Sequence, residues 1–175
     1  LEAIRQLSGD TIEEMYANFT PYRVIADHAR AAAFLIADGV VPGNVGRNYI
    51  SRMIIRRAAR FGSKIGLHEP FLARAAEAVI TSYKDFYPEL EKHREGILDH
   101  MTREEVRFAR TIVSGTAQLM EMLEGAKKAK SLKLDGRKVF DLYSTYGLPF
   151  EIARDIAREQ GQDIEESGFT IAMDE

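Results

Sequence analysis

The sequence predicts an all-α protein: a multi-helix array with one long helix or helical hairpin, and a smaller C-terminal helical subdomain. Three observations predict it. Apolar residues recur at helical spacing through most of the chain. Proline and glycine fall where those runs begin and end. A charged segment from Pro88 to about Ala129 keeps the same spacing well beyond an ordinary helix length.

Taken in order, Ile4 to Tyr16 alternates weakly, with a turn signal at Ser8-Gly9-Asp10. Pro21 opens a stronger helix, Tyr22 to Ala37, with Val24, Ile25, Ala29, Ala32, Ala33 and Ile36 spaced for burial. Asp38-Gly39 ends it through a left-handed cap, and Val40 to Asn44 forms a loop. A basic helix follows. Glu69-Pro70 starts the next, carrying Phe71, Leu72, Ala75, Val79 and Ile80. In the long segment the apolar positions are Leu90, Ile97, Leu98, Met101, Val106, Phe108, Ile112, Leu119 and Leu123, and Gly96 and Gly115 are where it would bend or split. The lysine-rich stretch Gly125 to Ser131 is a composition shift and the best internal boundary, dividing the chain into subdomains 1–130 and 131–175. Beyond it come a short extended piece or turn at Leu132 to Gly136 and a helix Arg137 to Thr145 stopped at Gly147. A helix from Pro149 to Gly161 and a last turn or two around Phe169 to Met173 complete the chain.

The composition is that of a globular protein: 175 residues, 45% hydrophobic and 29% charged. Without cysteine there are no disulfides and no thiolate metal ligands. The longest apolar run, Ala31 to Val41, is broken by Asp38 and Gly39 and is too short to span a membrane. The chain starts at Leu1 with no signal-peptide pattern, which predicts a segment of a longer protein.

Charge is the most informative feature. Between Pro42 and Gly66 lie six basic residues and no acidic one, in a chain of net charge −3. Without those six the remainder stands at −9. At about 100° per residue, Arg52, Arg56, Arg57, Arg60 and Lys64 share one arc, with Ile50, Ile54, Ile55, Ala58 and Phe61 opposite. No carboxylate lies at i±3 or i±4 to neutralise these arginines. Five of the six are arginine, whose fork suits phosphate. The helix therefore buries one face and offers the other to a polyanion.

Catalytic patterns are missing. His28, His68, His93 and His100 form no metal-binding pair, and His28 beside Asp27 points about 100° away from it on a helix. Gly43 to Gly46 is too short for a phosphate-binding loop and lacks its lysine. Taken alone the chain reads as a binding module without catalytic or metal residues. An RNA-binding segment, a helical protein–protein module docking an acidic partner and a DNA-binding domain all remain open on residues alone.

Three blocks carry a family resemblance. The first is Arg23 to Gly39, followed by Val41-Pro-Gly-Asn44, Gly46-Arg47, Tyr49 and Ile55-Arg-Arg-Ala58. The second is Leu134-Asp-Gly136 with Phe140-Asp-Leu-Tyr-Ser-Thr-Tyr-Gly-Leu-Pro149. The third is Glu165-Glu-Ser-Gly-Phe169 with Ala172-Met173. In order and spacing they closely resemble the bacterial-type alanyl-tRNA synthetases, over nearly the whole chain. The resemblance implies the helical tRNA-recognition region between the class II aminoacylation domain and the editing domain, packed against both, in a cytoplasmic enzyme. It implies that the parent ligates alanine to tRNA-Ala with ATP and magnesium, and holds zinc in its editing region. Those sites lie outside this segment, which would need no cofactor, bind the tRNA-Ala acceptor stem rather than DNA, and form no aminoacyl product alone.

The resemblance also implies two readers of a G·U wobble pair, an Asn before the basic helix and an Asp in the second block. Asn44 matches the first. At the second this chain has Ser144, which is shorter, uncharged, and able to bond its own helix carbonyl. That departure implies relaxed wobble-pair selectivity or a contact from another residue. Arg52, Arg56, Arg57, Arg60 and Lys64 take phosphate contacts, and Arg47 either orients the loop bearing Asn44 or binds a phosphate itself. Asn48, Met53 and Phe61 replace the family's usual Gly, Arg and His.

Overall fold

Local capping and glycine chemistry punctuate the helices much as the sequence requires. The computed structural model describes all residues 1–175, as ten α-helices and two two-residue strands. The first helix, α1 (Glu2–Ser8), ends at Gly9 with φ 79. The second, α2 (Ile12–Ala17), opens on a capping box in which Thr11 Oγ1 accepts from the Glu14 N–H while the Thr11 N–H donates to the Glu14 carboxylate. The third, α3 (Phe19–Ala37), begins slightly before Pro21 and closes on Gly39, whose φ of 81 lets the Val40 N–H donate back to the Leu35 carbonyl. The basic helix is α4 (Gly46–Ser63), and α5 (Leu72–Tyr83) follows.

The long charged segment resolves into two helices. A short α6 (Pro88–Lys92) is broken at His93, and α7 (Arg94–Lys128) then runs 35 residues without interruption. The helical-hairpin alternative is thereby overturned, and neither Gly96 nor Gly115 splits the helix. Gly115 serves packing instead: a Cβ there would press on the Tyr146 Cβ at 3.2 Å. The remainder comprises β1 (Lys133–Leu134), α8 (Gly136–Tyr146), α9 (Phe150–Glu159), β2 (Asp163–Ile164) and α10 (Glu166–Asp174). The strands pair in parallel, Lys133 with Asp163 and Leu134 with Ile164. The second strand was not legible because a two-residue parallel pair leaves no alternation to read.

The chain forms two compact units, Leu1–Arg107 and Phe108–Glu175, the division falling inside α7. In the first, Ala29, Ala32 and Ala33 give α3 a small-residue face for Ile54, Ile55 and Ala58 of α4 and Leu72, Ala76 and Ile80 of α5, with Ile97 and Met101 of α7 closing the core. Tyr22 is wholly buried, yet its hydroxyl is satisfied by Ser8 Oγ at 2.7 Å and by Asp10, which ties the turn after α1 to α3.

The start of α5 has an unusual cap. Its N-cap residue, Phe71, is buried and offers no oxygen, so the Phe71 and Leu72 N–H groups donate instead to Glu105 of α7 at 3.0–3.2 Å. Burial pushes the Glu105 carboxyl up to about 7, against those backbone donors, which favour its ionised form.

In the second unit Phe169 of α10 is the centre of an aromatic cluster, with Phe140 at 5.7 Å, Tyr143 at 5.9 Å and Phe150 at 4.8 Å between ring centroids. The close approach of α8 to α10 depends on Gly136, where a Cβ would collide with the Glu165 carbonyl and lie 2.6 Å from the Phe169 nitrogen.

Two stability predictions follow from these contacts. Gly136→Ala should cost about 3 kcal/mol or more, because the obstruction is backbone. Gly125→Ala, in the interior of α7 with open space around it, should instead stabilise by about 0.5–1 kcal/mol; urea unfolding measures both. The Glu105 carboxyl binds its proton more tightly folded than unfolded, between its ordinary value of 4.5 and about 7. Its contribution is therefore complete below pH 4.5 and lost as pH rises through 7, up to about 3 kcal/mol. Glu105→Gln should flatten stability across that window.

Candidate nucleic-acid interface

The loop before α4 is held by its own backbone. Gly43 donates its N–H to the Asn48 carbonyl at 2.9 Å, and a side chain at Gly43 would strike the Asn48 Cβ at 2.7 Å. Gly46 enters α4 with φ 57. Between these two points Asn44 stands exposed, its Oδ1 accepting from Nη1 of Arg52, two turns along the helix. Arg52, not Arg47, is thus the residue that orients the loop's side chain.

The helix is buried over a broader arc than its periodicity indicates. Ile54, Ile55, Ala58 and Phe61 are buried, but Ile50 is 46% exposed. Arg56 turns inward and is only 3% exposed, so it is not on the outward cationic face expected of it. The partner that local spacing did not provide comes from α7. Arg56 Nε donates to Glu104 Oε1 at 2.6 Å, its Nη2 lies 2.5 Å from the same oxygen, and Arg52 Nε lies 3.2 Å from it. Arg107 stands farther off, 4.0 Å from the other oxygen. Burial draws the Arg56 guanidinium below its usual value, and Glu104 opposes that pull. One buried carboxylate thus faces two largely buried guanidiniums.

The remaining cations lie at or near the surface. Arg47 is exposed on the first turn of α4, and Lys64 is exposed just past its end. Arg57 and Arg60 are half-buried. With Lys64 they surround the Phe61 ring, at 5.6, 6.0 and 5.1 Å from its centroid. Phe61, one of the departures noted above, thereby gathers three cations at the C-terminal end of α4, where the helix dipole favours positive charge.

In the second unit Ser144 is exposed on α8, and its hydroxyl donates to the Asp141 carbonyl at 3.1 Å. Its proton is engaged, and its oxygen lone pairs are what it can offer outward. Tyr143 and Tyr146 are half-buried, with Tyr143 in the Phe169 cluster. A second group of cations was read from the sequence only as a boundary. Lys127, Lys128, Lys130, Lys133 and Lys138 are all exposed and form no ion pair. Glu104 was also missed, for it sits among many charged residues on α7 and only tertiary packing distinguishes it.

No three His, Cys, Asp or Glu side chains group to hold an ion. Asp27 accepts from Arg30 at 2.9 Å, while His28 Nδ1 stays 3.6 Å from it. No helix is long and apolar enough to cross a membrane.

Comparison of the sequence with known proteins finds a family match. The profile described as tRNA synthetases class II (A) matches residues 1–175. An alanine–tRNA ligase of Chloroflexus aurantiacus is 43% identical over 175 residues, covering all of this chain and 20% of the relative. Those of Desulforamulus reducens and Neisseria meningitidis are 42% and 44% identical over 87% of this chain and 17% of each relative. The chain thus spans about a fifth, or slightly less, of the length of these relatives.

The inward turn of Arg56 separates it from the surface cations in a measurable way. Arg56→Ala should destabilise the fold by about 3–5 kcal/mol, the cost of breaking a buried pair. Arg47→Ala should stay within about 0.5 kcal/mol of the parent; denaturant midpoints at matched pH make the comparison.

Proposed function

Since the chain belongs to the tRNA synthetases class II (A), and the relatives named above are alanine–tRNA ligases, we propose that it is the part of such an enzyme that grips the tRNA-Ala acceptor stem and helps to read its G·U pair. The observation that carries this reading is the setting of Asn44: an exposed amide held in place at the head of a helix that bears five arginines and no acidic residue. Its donors and acceptors suit a base edge, and the cations around it suit phosphate.

In this reading Arg47, Arg57, Arg60 and Lys64 contact phosphates and supply affinity without sequence choice. The lysines from Lys127 to Lys138 add a phosphate-facing surface on the second unit. Arg56 is withdrawn from that role by its burial against Glu104. Ser144 is the second reader, offering a lone pair where a carboxylate would be the stronger acceptor for a guanine amino group in the wide minor groove of an A-form stem. The weaker acceptor lowers selectivity for the wobble pair.

The complete enzyme would join alanine to tRNA-Ala at the expense of ATP, with magnesium, and hold zinc in its editing region, in the cytoplasm. The residues present here fit none of those groups: they form no cluster of three ligating side chains and no phosphate-binding loop. The chain by itself would dock the stem and form no aminoacyl product, its catalytic and editing partners packing against it in the complete enzyme.

The test is binding of acceptor-stem minihelices carrying G·U or G·C, at two salt concentrations. A preference of about tenfold for G·U is expected, in keeping with a single base contact, and Asn44→Ala should abolish it. Arg57→Gln should weaken both minihelices alike and make log affinity less steep in log salt, by about 0.7–0.9. Equal binding of both stems, indifferent to Asn44→Ala, would sink the base-pair reading and favour a basic face that docks acidic partners generally.

A further inference from the structure

We propose that Glu104 is a positioning residue which, acting through Arg52, sets the direction of Asn44 and hence the base-pair discrimination of the site. The proposal rests on the reading of Asn44 as a base-edge reader. An exposed loop asparagine ordinarily samples several rotamers, and ordering it on binding costs affinity. The backbone bond from Gly43 to Asn48 places the loop that carries the Asn44 side chain. Its direction comes from Arg52, whose Nη1 donates to the amide oxygen and so decides which end of the amide turns inward.

Arg52 needs a support of its own, because a long side chain on a helix surface is mobile. Its side chain is only 12% exposed, and its Nε lies 3.2 Å from Glu104 Oε1. That contact is an ion pair without hydrogen-bond geometry; its attraction draws the rigid, planar guanidinium inward and so limits where Nη1 points. Glu104 is in turn immobilised by Arg56, which holds the same oxygen at 2.6 Å through Nε and 2.5 Å through Nη2. With the carboxylate removed, two guanidiniums would be left side by side in a buried site. Arg52, the nearer of the two to solvent, would swing outward and release Asn44. A phosphate contact by Arg52 would require it to leave both partners, which separates it from Arg47, Arg57, Arg60 and Lys64.

The experiment uses this chain with four changes: Asn44→Ala; Arg52→Met; these two combined; and the double change Glu104→Gln with Arg56→Met. Arg52→Met leaves a one-to-one Glu104–Arg56 pair. The double change replaces that pair by neutral side chains of similar size, which avoids the unfolding that Glu104→Gln alone invites. The first readout is the mobility of the Asn44 side-chain amide, by nitrogen relaxation in the free protein. The second is the affinity ratio for the G·U and G·C minihelices with its salt dependence.

Arg52→Met and the double change are both expected to mobilise the Asn44 amide. Both should lower the G·U preference about tenfold, to the level of Asn44→Ala. The salt dependence should stay at the parent value, and adding Arg52→Met to Asn44→Ala should have no further effect. An Asn44 amide as rigid in either variant as in the parent overturns the proposal. So does a salt slope that drops by about 0.7–0.9 with Arg52→Met, since Arg52 would then be gripping a phosphate. A parent chain indifferent to the base pair defeats the reading of Asn44 instead, and the amide measurement then decides the brace by itself.

Discussion

The carboxylate of Glu104 is the constraint around which the first unit is organised. Taking a carboxylate and two guanidiniums out of water is costly, and such groups are seldom the cheapest way to fill a core. What they provide here is direction. A greasy contact in the same place would hold α4 against α7 but would orient nothing beyond itself. The charged contact sets Arg56 inward, aligns Arg52 and extends to Asn44 on the loop. Helix packing and the candidate recognition residue are therefore joined through one carboxylate, by a charge-assisted hydrogen bond from Arg56, an ion pair with Arg52, and the bond from Arg52 to Asn44.

Its neighbour Glu105 shows how a single helix serves two tasks with adjacent residues of one kind. Side chains one position apart on a helix diverge by about 100°. Glu104 thus reaches the arginines of α4 while Glu105 reaches the N–H groups at the start of α5. The consequences differ with the partner. Glu104 meets fixed positive charge, whereas Glu105 meets only backbone dipoles and is pushed up to about 7 by burial. Both tie distant segments to α7, whose Ile97 and Met101 lie wholly buried nearby. The first half of the long helix is thereby a scaffold in the strict sense: it positions groups on other helices.

The second unit is built on shape more than on charge. Gly136 lets α8 approach α10 at a distance no other residue would permit, and Phe169 fills the space among three other rings. Its charged residues are left largely at the surface, with Lys127, Lys128, Lys130, Lys133 and Lys138 all exposed. Surface charge and structural support are thus separated there, whereas the arginines of α4 are divided between the two.

Local chemistry was legible from the residues alone. The turn at Gly9, the left-handed cap at Gly39, the helical character of the long charged segment, the cationic run and the loop position of Asn44 all depend on groups within a few positions of one another. Spacing encodes such groups directly. The blocks around Asn44 and Ser144 likewise pointed to the family that the comparisons then established. Periodicity could not say which arginines would face inward, because α4 is covered from more than one side and its buried arc depends on its neighbours. Arg56 meets Glu104 across 48 positions, and the start of α5 meets Glu105 across 33 or 34. Contacts at such separations are set by how helices stack, a property no single helix carries. The order of residues along the chain determined that it carries a cationic run; the contact of Glu104 on α7 with Arg52 and Arg56 decided which of those cations are drawn inward and which stay near the surface.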